Sequence, residues 1–119
     1  MSEVTISHNP RCSKSRSTLS LLESHGLQPR IVEYLKTPPS AAELTSVLKK
    51  LHMKPCELMR KGEAIYKELG LADEALSDAK LIEAMAKNPV LIERPVVLYA
   101  ARAAIGRPPE NVLDLFTGL

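Results

Sequence analysis

The feature that most constrains this chain is the order strand, helix, strand at its start. Val4-Thr5-Ile6-Ser7-His8 alternates apolar and polar residues, as a half-buried strand does. Asn9-Pro10-Arg11 reads as a turn, and Ser13 to His25 as a helix stopped by Gly26. Ile31-Val32-Glu33-Tyr34-Leu35 is a second β-rich run. Such a unit, completed within about thirty-five residues, predicts two parallel strands joined by a right-handed crossover. Pro38-Pro39 then breaks the chain.

The middle of the chain is helical but fragmented. Ser40-Ala41-Ala42-Glu43 is a capping box, and Leu44, Val47, Leu48 and Leu51 form one apolar face of the helix that follows. Pro55 can open a helix carrying Leu58 and Met59, which Gly62 interrupts. Ile65 and Leu69 mark a short segment ended by Gly70, and Ser77 caps a helix with Leu81, Ile82 and Met85 inward, stopped by Asn88-Pro89. Val90 to Glu93 and Val96 to Tyr99 then read as strands flanking Arg94-Pro95. A proline there does not fit a continuous central strand, and a cis bond would turn one run into place beside the next. Ala100 to Ile105 is a third β-like stretch or loop, and a last helix with Val112, Leu113, Leu115 and Phe116 as apolar positions closes the chain. This is a thioredoxin-like order of elements. The expectation is an α/β protein with a mixed sheet of about four strands, a single domain over residues 1–119, and a helical insertion after the second strand at about 40–88.

The 119 residues suffice for one core without metal or disulfide staples. Aromatic residues are only 3%, so Leu, Ile, Val, Ala and Met must fill it. A net charge of +2 is too mild, and too evenly spread, for a nucleic-acid surface. No stretch is apolar enough to span a bilayer and the N-terminus has no leader pattern, so the expectation is a cytoplasmic protein with neither nucleic acid nor membrane as partner. Cys12 and Cys56 form neither a CxxC pair nor a metal-ligand spacing.

Cys12 concentrates the chemistry. It stands where the first strand ends and the helix begins, and there unpaired backbone N–H groups and the helix dipole favour an anion. Only the thiolate is a good nucleophile, and this position is one of the few that lowers a thiol pKa. Arg11, Lys14 and Arg16 add positive charge nearby. The pattern is that of a reactive thiol facing an anionic partner. Cys56, after Pro55 and beside only Lys54, reads as helix filler.

The segment His8-Asn9-Pro10-Arg11-Cys12-Ser13-Lys14-Ser15-Arg16 resembles the opening motif of the glutaredoxin-coupled arsenate reductases. Glu57 to Lys61, Ile92 to Val97 and Ile105 to Pro109 are similar to three further signatures of that family. The resemblance implies that Cys12 is the nucleophile, with His8 and Ser15 stabilising its thiolate. It also implies that Arg60, Arg94 and Arg107 hold the oxyanion and that Pro95 is a cis-proline beside the site. Guanidinium forks suit such a ligand, because they stay charged and offset the repulsion between thiolate and arsenate. No tightly bound cofactor or metal is implied; glutathione is the expected co-substrate and glutaredoxin the protein partner. The chain stops at Leu119, where plasmid-type members continue, and so looks more like the short chromosomal branch. Two alternatives remain: a redox-sensing regulator that binds RNA polymerase, and a glutathione-dependent thiol oxidoreductase acting on another oxyanion. Regulators of this fold family carry a CxxC switch, whereas Ser15 occupies its fourth position here.

Overall fold

A computed structural model of the chain describes residues 3–116. Residues 1, 2 and 117–119, and with them the chain ends used in the leader and short-branch arguments, lie outside the described residues. The chain groups into two compact units. One contains the chain up to Thr37 and again from Arg94 onward; the other is Pro38–Glu93.

The first unit holds a mixed sheet of four strands, β1 (Val4–His8), β2 (Arg30–Glu33), β3 (Val96–Tyr99) and β4 (Arg102–Ile105), in the order β2-β1-β3-β4. β1 and β2 are parallel, with Ile6 opposite Ile31, and α1 (Ser13–Ser24) connects them. β3 runs antiparallel to β1, with Ile6 opposite Val97, and β4 antiparallel to β3. The crossover predicted from the first residues is therefore present, with two later strands added on its other side. Gly26 ends α1 with φ +80, a value L-residues with a Cβ adopt at a cost, and Leu27 N–H closes the turn on the Leu22 carbonyl at 3.1 Å.

Val4, Ile6, Leu22, Val97, Val112 and Leu115 form the core of this unit, with Leu19, Leu27, Tyr99, Ala104 and Phe116 packed around it. The Tyr99 and Phe116 rings lie 5.0 Å apart in a tilted pair. The closing helix is a 3-10 helix, Pro109–Phe116, that packs on α1 and β4 through Val112 and Leu115.

The second unit carries α2 (Ala41–Leu51), α3 (Pro55–Leu58), α4 (Ala64–Glu68) and α5 (Asp78–Lys87). The Ser40–Glu43 capping box forms in both directions at 3.1 Å, and Ser77 caps α5. Leu44 and Leu48 of α2, Leu58, and Leu81 and Met85 of α5 are buried.

Two expectations are corrected. Val90 to Glu93 is not a strand: Pro89 has no N–H to give a ladder, and it opens a 3-10 turn, Pro89–Leu91, in which Leu91 N–H reaches the Asn88 carbonyl at 2.9 Å. Only one isolated bridge, Met59 with Ile92, remains of sheet pairing there. β2 ends at Glu33 rather than Leu35, because Lys36 and Thr37 N–H both turn back to the Glu33 carbonyl at 2.9 Å. As an edge strand it leaves Ile31 49% exposed.

Leu22 is fully buried and Leu35 is 45% exposed, so truncation separates them. Leu22→Ala is expected to cost about 2–5 kcal/mol and Leu35→Ala under about 1 kcal/mol, read from urea unfolding midpoints at constant slope.

Candidate active site

The site grows from the end of β1. The strand delivers His8 into the interior, and the chain turns through Asn9-Pro10-Arg11 before α1 starts. Asn9 builds that turn: its side-chain oxygen accepts from Arg11 N–H and its carbonyl from Cys12 N–H, both at 3.0 Å. Cys12 is the N-cap of α1, with extended φ −93 and ψ 123, and its side chain caps nothing. The sulfur therefore stays available while the first helical N–H groups face it.

Ser15, fully buried one turn along, ties this loop to the strand. Its hydroxyl lies 2.6 Å from His8 Nδ1 and accepts from Asn9 N–H at 3.0 Å. The His8 pKa is lowered, mainly by burial and further by Arg16, while Glu33 opposes the shift. A neutral imidazole accepts the Ser15 proton at Nδ1, which gives the hydroxyl one donor and one acceptor role at once. His8 thus ties Ser15, and through it the loop, to the end of β1.

Burial pushes the Cys12 thiol up, and the groups around it push it further down. Ser15 N–H, the Arg94 guanidinium and Lys14 N–H each stabilise the thiolate, leaving its pKa below the ordinary 9.0. Arg107 also reaches it: Nη2 stands 3.6 Å from Cys12 Sγ, while Nε donates to the Arg94 carbonyl at 2.7 Å. That second bond fixes the guanidinium plane. Arg94 precedes Pro95 across a cis peptide bond, and Arg107 precedes Pro108 across another.

Of the residues singled out in the sequence, Cys12, His8, Ser15, Arg94, Pro95 and Arg107 come together in the first unit. Arg60 belongs to the second, where it pairs with Glu63 at 3.1 Å and Glu93 at 3.3 Å. Arg16 donates to the Pro10 carbonyl at 2.9 Å and so braces the loop. The turn read at Asn9-Pro10-Arg11 is present, and the sequence did not show that the Asn9 side chain itself closes it. Cys56 is exposed and, like Cys12, a free thiol. Among the described residues no group of three His, Cys, Asp or Glu side chains could hold a metal ion, and no helix is long and apolar enough to cross a membrane.

A cysteine at a helix N-cap, faced by arginines from a cis-proline segment and from the end of β4, defines a thioredoxin-like thiol protein. The particular family follows from comparison: the ArsC family model matches residues 7–115, and the chain belongs to that family. It is 48% identical to an arsenate reductase of Neisseria meningitidis over 113 residues, 94% of this chain and 97% of that protein. It is 55% identical to the uncharacterized protein YfgD of Escherichia coli K12 over 114 residues, 95% of this chain and 96% of that one. Among solved structures, an arsenate reductase from Vibrio cholerae superposes with a TM-score of 0.93 at 49% identity, covering 95% of this chain and 97% of its own.

Two titrations test the electrostatics. The rate of Cys12 alkylation against pH should show a midpoint below 9.0, and Arg94→Gln should move it upward. The imidazole of His8, followed by NMR, should titrate below 6.5. Because the unfolded state then binds more protons, the contribution of His8 to stability is complete above about 6.5 and is lost as pH falls through the folded value. His8→Gln should flatten that acid-side loss.

Proposed function

We propose that this protein reduces arsenate to arsenite through Cys12, with glutathione as second thiol and glutaredoxin as regenerating partner. The observation that carries the reading is the Cys12 sulfur, uncapped at the N-terminus of α1, with the Arg107 guanidinium 3.6 Å from it and Arg94 beside it. Membership of the ArsC family and the names of its relatives supply the substrate. Arsenate is a tetrahedral dianion near neutral pH, so a thiolate can approach only where cations offset the repulsion. The guanidinium of Arg107 is already held in plane, and orientation before binding lowers the cost of ordering it.

In the first step the Cys12 thiolate attacks As(V), an S–As bond forms, and one arsenate oxygen leaves as water with protons from solvent. Glutathione thiolate then attacks the Cys12 sulfur. The S–As bond breaks with its electron pair left on arsenic, which becomes As(III), while the two sulfurs form the Cys12–glutathione disulfide. A glutaredoxin thiolate attacks the glutathione sulfur of that disulfide and releases Cys12 as thiolate. Arg11 and Lys14 are exposed beside Cys12 and offer positive charge to an anionic tripeptide thiol. Arg60 is assigned as the third arginine on family likeness.

An NADPH-coupled assay with arsenate, glutathione and glutaredoxin tests the reading. Turnover should be abolished in Cys12→Ser and retained in Cys56→Ser, and mass spectrometry after one turnover should find glutathione on Cys12. Arg107→Lys keeps the charge and loses the fork, and should lower kcat/KM by about 10-fold or more. Activity in Cys12→Ser, or a Cys12–Cys56 disulfide in place of the glutathione adduct, overturns the mechanism.

A further inference from the structure

Gly106 is buried, and its need for glycine is spatial. Its φ is not in the left-handed region, unlike those of Gly26 and Gly70. A Cβ placed on Gly106 would collide with Thr18 Oγ1 and stand 3.0 Å from Thr18 Cγ2 and 2.9 Å from Pro95 Cγ. Neither neighbour has anywhere to go. Thr18 is fully buried on α1 with its hydroxyl donated to the Lys14 carbonyl at 2.8 Å, and Pro95 is a buried ring. Gly106 N–H donates to the Pro95 carbonyl at 3.0 Å, and Arg107 N–H to the Ile105 carbonyl at 2.9 Å.

Three segments meet at this point. α1 starts from Cys12 and carries Thr18; Pro95 follows Arg94; Gly106 precedes Arg107. We infer that Gly106 is a positioning residue for the anion site, whose missing side chain sets the approach of Arg107, and with it the Arg94 carbonyl it grips, to the Cys12 sulfur. The chain at Gly106 lies close against the Thr18 side chain of α1, so the 3.6 Å between Arg107 Nη2 and Cys12 Sγ follows from that close approach. A methyl group there must lift the start of the Arg107 segment away from α1, because the helix and the proline ring cannot yield. Displacing a catalytic group by about 1 Å can cost on the order of 100-fold in rate.

The inference rests on the thiolate–arginine reading of the site, and its test does not require arsenate turnover. Alkylation of Cys12 is followed against pH, without and with sulfate as the anion probe, in the parent, Gly106→Ala, Thr18→Ala and Gly106→Ala/Thr18→Ala, with thermal midpoints beside it. Gly106→Ala should raise the thiol midpoint and weaken sulfate protection by about 10-fold or more. The double variant should recover protection, since removing Oγ1 and Cγ2 of Thr18 clears two of the three collisions. A Gly106→Ala protein that loses thermal stability but keeps the parent's midpoint and protection would show Gly106 to be merely structural. Failure of Thr18→Ala to rescue would remove the collision as the cause. If Gly106→Ala does not fold, Thr18→Val crowds the same point with a slightly larger atom. A few-fold loss of sulfate protection in Thr18→Val supports the inference, and parent-like protection overturns it. Parent protein that shows sulfate protection yet reduces no arsenate would break the proposed activity and leave the Gly106 result standing.

Discussion

The site depends on how closely the first turns of α1 lie against the strands beside them. The buried stripe of that helix is Ser15, Thr18 and Leu22, spaced for one face. Only Leu22 is a large apolar residue, and it anchors the far end in the core with Ile6 and Val97. Near the thiol the stripe is small and hydroxylated, so it fixes geometry by hydrogen bonds and close approach more than by apolar area. Ser15 joins helix to strand through His8 and loop to helix through Asn9. Thr18 satisfies its own hydroxyl within the helix, through the Lys14 carbonyl, and presents a filled surface to Gly106. Buried polar groups of this kind are tolerated because each has a partner.

Placement and charge are thereby separated. Burial of a thiol ordinarily favours the neutral form, and here it does act in that direction. Helix N–H groups and guanidinium groups win because they stand at the sulfur itself, in a partly buried setting where water screens them less. His8 is a contrast within the same few residues. Its burial also disfavours charge, and its contact with Ser15 forms without the imidazolium. A positively charged His8 would add to the field at Cys12 but would make its role in fixing Ser15 depend on pH.

Much of this was legible in the sequence, and the limits have physical causes. The crossover at the N-terminus was readable because alternation, a turn and a glycine stop all agree over residues 4 to 35. The caps at Ser40 and Ser77 were readable because capping is a local hydrogen-bond pattern. Val90 to Glu93 misled, because apolar composition alone cannot separate a strand from a short buried turn, and Pro89 decided the matter by removing a donor. The closing segment was read as a helix from its apolar spacing, and its 3-10 form, with Val112 and Leu115 inward, follows from packing on α1 and β4.

Cys12 was recognisable from its own neighbours, whereas Arg94 and Arg107 were not. Taken singly, each is an ordinary arginine next to a proline, and only family likeness joined them to the thiol. What brings them together is an antiparallel register, Val96 opposite Ile105 across β3 and β4, which places the residues just outside both strand ends side by side. Gly106 is the more instructive case. A lone glycine before Arg-Pro-Pro reads as turn chemistry, yet its backbone angle demands no glycine. The requirement comes from Thr18 and Pro95, which are remote in sequence and carry no sign that they face it. Local patterns reveal what a residue does to its own backbone, while a residue whose role is to be absent from a shared space becomes visible only when the packed neighbours are in place.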